Sequence, residues 1–346
     1  METRKIEAAY YCGVDMHSRA SYICVLSQTG KIEYKRNISN NFQTFKQNIA
    51  PFLPDIAIGC ESTYNYYWLA DGCAQAGFRF YLGHALYMKA ISGHKRKSDP
   101  LDAETIANLL RTSYFPEVYA YPKEMRPTRD LLRRRHRLVR LRAEAYTHIQ
   151  LVCHQYGITD IATGEIRDKE MREVLTERFL TEDIRQNIVT DLTMIEVLDP
   201  MIAGLEEQIL KQARHHRHLD YALLQTVPGV GQMIALNLIY EIHDIGRFKT
   251  VQRFSSYCRV VRCERSSNGK RKGFRNQKIG NPYLKWSMSQ IIMNGRKIES
   301  IGKYAQRLES RYGIRRARAQ LAHEYAVAIY YMLKRGEPFN EEKFLR

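Results

Sequence analysis

"AYYCGVDMHSRASYICVLSQTGKIEYKRNI", residues 9–38, contains three short segments of β character separated by polar turns. "AYYCGVDM" (9–16) is nearly all apolar, as a strand buried on both faces must be. "ASYICVLS" (20–27) follows the polar "HSR", and "GKIEYKRNI" (30–38) alternates after the "QTG" turn. One residue breaks the first pattern. Asp15 stands near the end of an apolar strand, where a core wants Val or Ile. Glu61 does the same in "DIAIGCES" (55–62), a fourth strand.

Around these strands the pattern turns helical. Phe42, Phe45 and Ile49 predict a short helix over 41–52, and a second runs from about Tyr66 to Ala76. "FRFYLG" (78–83) is another strand, followed by a helix near 86–92. "SDPLDAETIANLL" (98–110) opens one more helix, with Leu101, Ile106, Leu109 and Leu110 as its buried stripe. Ser98 or Asp99 can cap it, Pro100 suits the first turn, and Asp102 completes a capping box. The order βββαβαβα puts strands before any helix and βαβ crossovers after them. That is the α/β order of the ribonuclease H-like, or RuvC-like, fold.

Alone, Asp99 and Asp102 read as a helix cap. Asp15 and Glu61 change that reading. Two carboxylates on neighbouring central strands repel strongly when desolvated, and a divalent cation removes the objection. Four carboxylates, Asp15, Glu61, Asp99 and Asp102, supply hard oxygen ligands suited to Mg²⁺ or Mn²⁺. The helix pair then reads as both cap and ligand.

The chain has 346 residues, enough for two or three domains, and its 44% hydrophobic content excludes general disorder. No apolar run is long enough to span a membrane, and residues 1–9 do not read as a signal peptide. Seven cysteines, odd in number and without a CxxC pair, predict reduced thiols in a cytoplasmic protein. The net charge is +17, and it is concentrated. Residues 1–122 hold 13 Lys and Arg against 11 Asp and Glu. Residues 123–142 hold 9 against 2, and residues 245–320 hold 20 against 3. A merely solubilising surface would scatter such charge. Two basic blocks predict a nucleic-acid partner.

From about Pro127 to His218 two long helices are predicted. One carries Leu131, Leu138, Leu141, Ala145 and Ile149 near heptad spacing; the other carries Leu192, Ile195, Leu198, Ile202, Leu205 and Ile209. Joined by a variable insert, they form an antiparallel coiled-coil arm suited to oligomer contact. Arg133, Arg134, Arg135 and Arg137 on its first helix are candidates to track a phosphate backbone. "VPGVG" (227–231) then reads as a helix–hairpin–helix turn, its Gly229 and Gly231 letting backbone amides approach a phosphate. "ERSSNGKRKGFRNQKIGNPYLKWSMSQII" (264–292) reads as a basic, glycine-punctuated loop entering a helix, with Lys270, Arg271, Lys272, Arg275 and Lys278 as backbone contacts. The expected domains are 1–122, an arm and insert over 123–220, and a mainly helical domain over 221–346. "HHRH" (215–218) and the tyrosines at 10, 11, 64, 66 and 67 read as surface or core residues and not as sites.

The four acids, the arm, "VPGVG" and "SSNG…KIGNPYLK" in this order resemble the DEDD transposases of insertion sequences of the one-ten and eleven-eleven groups. These are relatives of Piv-type DNA invertases and include bridge-RNA-guided recombinases. The resemblance covers roughly residues 10–340. It implies a RuvC-like domain whose acids hold the metal, and a serine that attacks DNA and becomes covalently joined to phosphate. By position that serine is Ser266, fourteen residues before Gly280. Because "SSNG" departs from the family's usual serine-glycine, Ser267 stays an alternative. No histidine lies within twenty residues of Ser266 to act as its base. The resemblance further implies donor and target DNA, a non-coding guide (bridge) RNA, a homodimer or homotetramer, and action at the prokaryotic nucleoid. Two other readings compete: a RuvC-like endonuclease that uses water, and a nucleic-acid-binding protein with structural carboxylates.

Overall fold

The apolar run from Ala9 to Val14 cannot face water on either side, so the first strand has to lie at the centre of a sheet with layers on both faces. The computed structural model describes residues 5–92, 98–162, 164–213, 218–261, 264–267, 270–274 and 279–346. It divides into two compact units, 1–124 and 125–346.

The first unit runs β1 (Tyr10–Met16), β2 (Ala20–Ser27), β3 (Ile32–Ser39), α1 (Phe42–Ile49), β4 (Ile56–Glu61), α2 (Tyr67–Gln75), β5 (Arg79–Gly83), α3 (Ala85–Ser92) and α4 (Asp99–Arg111). The sheet order is β3-β2-β1-β4-β5. Short turns force β1, β2 and β3 to pair antiparallel, whereas β1, β4 and β5 pair parallel. This is the predicted order of elements. Alternate residues of each strand feed two layers. Cys12, Val14, Ile58 and Cys60 pack with Phe45 and Ile49 of α1 and Leu69 and Cys73 of α2. Tyr11, Ala57, Cys24 and Leu26 turn to the other face, against Ala103, Ile106, Ala107 and Leu110 of α4. β3 forms one edge, its charged residues Glu33 and Arg36 exposed, as edge strands are commonly protected.

The second unit opens with α5 (Arg126–Gln155), α6 (Lys169–Glu177) and α7 (Glu182–Ala213). Arg135 pairs with Glu206 at 2.6 Å, Arg142 with Asp199 at 2.5 Å, and His148 with Asp191 at 2.5 Å. Each step forward on α5 meets a step back on α7, so the two helices are antiparallel. Their seam holds Leu138 against Leu198 and Ile202, then Ile149 and Val152 with Ile188 and Ile195. The insert packs there too, through Ile166, Leu175 and Phe179.

The rest comprises α8 (His218–Gln225), α9 (Gln232–Ile242), α10 (Val251–Tyr257), β6 (Glu264–Ser267), β7 (Lys270–Phe274), α11 (Pro282–Gly295), α12 (Glu299–Tyr312) and α13 (Ile314–Arg335). The sheath around α9 buries every residue from Ile234 to Ile242. One feature departs from the expected loop. Glu264–Ser267 and Lys270–Phe274 form a two-stranded antiparallel ribbon. Six described cysteines are buried and form no disulfide, as expected; Cys263 lies outside the described residues. Among the described residues no helix is long and apolar enough to cross a membrane.

Candidate functional site

Gly13 stands opposite Gly59 in the β1–β4 register. A Cβ at Gly13 would lie 2.1 Å from the Ala103 carbonyl oxygen and 2.5 Å from the Ala107 nitrogen, so only glycine lets α4 settle on β1. At Gly59 a Cβ would press on Leu110 and Phe115 at 2.9 and 3.1 Å. Strand side chains repeat every two residues, so Asp15 and Glu61, each two positions beyond its glycine, face the layer that α4 occupies. Asp99 and Asp102 lie in the first turn of α4. The small surfaces of Gly13, Ala103 and Ala107 thus bring the helix start to the strand ends.

There, one carboxylate oxygen each of Asp15 and Asp99 and one ring nitrogen of His17 lie within 4.8 Å of one another. His17 Nε2 is 3.1 Å from Asp15 Oδ2 and 3.2 Å from Asp99 Oδ1. Asn40 and Asn65 fix this turn, both donating side-chain N–H groups to the His17 carbonyl, at 2.8 and 2.7 Å. Burial raises the Asp15 carboxyl above its ordinary range; His17 pulls it back, and the charges of Asp102 and Asp99 push it up again. Glu61 ends β4, one residue beyond the Val14–Cys60 pair, opposite Gly83. Asp102 and Glu61 lie outside the tightest group. The donor set fits a divalent cation: carboxylates and an imidazole converging where ionised acids alone repel.

Two local expectations change. Ser98 holds the N-cap position of α4 without a side-chain cap hydrogen bond, so the predicted capping box does not form through it. His17 belongs to the cluster although the composition of the site did not suggest it. Its signal was its place two residues after Asp15, at the same strand end.

In the second unit, Ser266 pairs in register with Arg271, and Ser267 with Lys270. Both serines therefore belong to a ribbon and not to the loop that was expected. Lys272 also lies in β7. Arg275 and Lys278 lie outside the described residues. Among the arm arginines, Arg134 and Arg137 are exposed, but Arg133 and Arg135 answer internal acids. Arg133 and Arg129 clasp Glu241, whose side chain is fully buried, at 2.6 and 3.0 Å. Burial pushes the Glu241 carboxyl up, but Arg133, Arg129 and Asn281 outweigh it and hold it below its ordinary range. Asn281 donates to Glu241 at 2.7 Å while its side-chain oxygen accepts from the backbone of Tyr283 and Leu284, capping α11. Asn281, the last residue of "KIGN", therefore serves the core.

Gly229 also packs against the core. Its φ is +90°, and a Cβ would lie 2.4 Å from the Ile291 carbonyl oxygen. Gly231, the N-cap of α9, has open space beside it.

Comparison with known proteins matches two stretches of the chain. Residues 12–157 match the family model of the IS110-type DEDD domain, described as "Transposase", and residues 221–306 match "Transposase IS116/IS110/IS902 family". The chain is 24% identical over 345 residues to the transposase for insertion sequence element IS1111A of Coxiella burnetii, covering 94% of this chain and 90% of that one. With a DEDD domain first and the second transposase domain after the arm, the chain belongs to the IS110/IS116 family of transposases.

Proposed function

We propose that this protein catalyses DNA transposition by cleaving and rejoining strands, with a RuvC-like metal site and a serine nucleophile. The observation that carries the metal half is the convergence of Asp15, His17 and Asp99 at the ends of the central parallel strands. Asp15, Glu61, Asp99 and Asp102 would hold Mg²⁺ or Mn²⁺. Such an ion supplies Lewis-acid stabilisation to a scissile phosphate. The sheet order β3-β2-β1-β4-β5 supports the RuvC-like assignment.

The serine half rests on the ribbon. Attack by the Ser266 oxygen (or that of Ser267) on phosphorus forms a phosphoserine ester and releases a deoxyribose hydroxyl, which takes the proton. Reversal with a different hydroxyl rejoins the strands with no other energy source. Cations stand opposite both candidates in register, Arg271 and Lys270. A guide RNA belongs to the same reading, supported by the basic blocks 123–142 and 245–320. Gly231 is the backbone candidate for the turn read as a helix–hairpin–helix. The arm is the candidate oligomer surface: Met194, Val197 and Met201 are exposed at heptad spacing on α7. A denaturing gel after incubation with DNA and Mg²⁺ tests the reading. Covalent protein–DNA adducts support it, free nicked DNA means water is the nucleophile, and tight binding without breakage leaves the carboxylates structural. Sequencing the copurified nucleic acid tests for the RNA.

A further inference from the structure

A cleft of about 410 Å³ opens between the end of α10, α11 and α13. Arg259, Lys285 and Arg318 line it, and among the described residues no carboxylate does. Its floor is apolar, with Ile292, Met293 and Ala322. Met293 is 50% exposed, an apolar side chain the core does not use.

Folding preference does not account for these cations. The Arg259 N–H donates to the Ser256 carbonyl and the Val260 N–H to the Ser255 carbonyl, the paired bonds of a Schellman helix end. Arg259 sits at its left-handed position with φ 58°, where glycine is favoured. A strained residue kept at such a point suggests use. Arg318 follows exposed Arg315 and Arg316 near the start of α13, whose first turn has no acid. Helix-dipole preference is the reverse. The neighbouring acid Glu309, whose charge Arg318 also feels, is held by Arg296.

We propose that this cleft holds one unpaired nucleotide of a DNA strand, its phosphates on Arg259, Lys285 and Arg318 and its base against Ile292, Met293 and Ala322. The proposal rests on the transposase reading for its choice of DNA. Clefts of roughly 300–1,000 Å³ take single small groups, and a stacked duplex cannot present a base to this floor. Ser289, the hydroxyl in the lining, donates to the Lys285 carbonyl and keeps its acceptor lone pairs, so the choice of DNA over RNA comes from the transposase reading and not from this side chain. Contact through an apolar floor reads no base edge, so binding is sequence-tolerant. The chain leaves the cleft at Val261, three residues before β6, the strand that carries both serine candidates.

The test is fluorescence anisotropy on the full chain in EDTA, with single-stranded DNA, RNA and duplex DNA of one sequence. Lys285→Ala with Arg318→Ala should weaken single-strand binding by about tenfold and make its salt slope shallower by about 1.4. Duplex affinity should stay within about twofold. Arg259→Gly relieves the backbone and removes the charge, so it should weaken the same binding while the protein melts no lower than the parent. An oligonucleotide carrying 5-iododeoxyuridine should crosslink to the peptide containing Met293. Unchanged single-strand affinity, an equal loss for duplex, no crosslink at Met293, or RNA bound tenfold tighter than DNA would overturn the assignment. Strand cleavage plays no part in EDTA. A cleft that binds in a protein that never cuts DNA would sink the transposase mechanism and leave this site standing.

Discussion

Gly13 faces Gly59 across the β1–β4 pair, and each precedes a carboxylate, Asp15 or Glu61, by two residues. The glycines and the acids therefore share one face of the sheet, the glycines admitting α4 and Asp15 meeting its first turn at Asp99. The packing and the chemistry are one arrangement.

Gly13→Ala tests it. The added methyl meets backbone, which cannot swing aside, so α4 must move off the sheet. The expected cost is about 1–3 kcal/mol. Because Asp99 rides on α4, Mn²⁺ affinity should fall with stability, though no ligand has been changed. Calorimetry with and without Mn²⁺ reads both. A destabilised protein with unchanged Mn²⁺ affinity would show that α4 does not position the cluster.

Asp15→Asn should behave oppositely. Burial holds the Asp15 carboxyl above its usual value, so ionising it costs the folded state above that pKa. The amide keeps the shape and removes the charge. The metal-free protein should be at least as stable at pH 7, while Mn²⁺ no longer raises its melting temperature and strand cleavage is lost. A clear loss of metal-free stability would mean that the Asp15–His17 contact is structural.

Much of this was legible in the chain, because the first unit is built from strong local patterns. Apolar runs, turns and helical stripes fix the order of its elements, and Asp15 and Glu61 stand out as acids in apolar strands. His17 carried only a weak signal, its place two residues after Asp15, because a histidine in a polar turn has no periodicity; only the fold brings Asp99 to it. The ribbon was missed for another reason. Glu264–Phe274 is too polar to look like strands, yet Asn268-Gly269 between Ser267 and Lys270 is a hairpin dipeptide. Arg133 and Arg135 show the limit of charge counting. A basic run on a helix reads as one surface, and only the folded partners, Glu241 and Glu206, reveal which charges are already spent.

That division predicts separable effects. Arg134→Ala with Arg137→Ala should leave stability within about 0.5 kcal/mol and make the salt slope of duplex binding shallower by about 1.8. Arg133→Ala leaves buried Glu241 with less compensation and should cost about 3 kcal/mol or more. Urea unfolding and salt titrations of both variants check this. Equal salt slopes for the two would mean that the internal pair opens to DNA.

Glu241 also sets an acid limit on the second unit. Its carboxyl is held below the ordinary 4.5, so its contribution is full above that pH and is lost as pH falls through the lower folded value. Denaturant unfolding between pH 3 and 6 should show stability dropping below about 4.5. Glu241→Gln, destabilised at pH 7, should lose much of this dependence. A variant whose pH profile parallels the parent's would assign the acid transition to other carboxylates.

The serine makes the sharpest prediction, since Ser266 and Ser267 stand opposite Arg271 and Lys270 in one short ribbon. Ser266→Ala removes the attacking oxygen but no charge and little volume. Folding and DNA binding should survive, and the covalent adduct should vanish. Ser267→Ala should be milder, unless the extra residue before Gly269 shifts the nucleophile by one. Mass spectrometry of the trapped adduct at single-residue resolution separates the two, and a nucleotide on Ser267 would reassign the role. Strand exchange by the double Ser266→Ala, Ser267→Ala variant would end the serine mechanism and leave the Asp15 cluster to act with water.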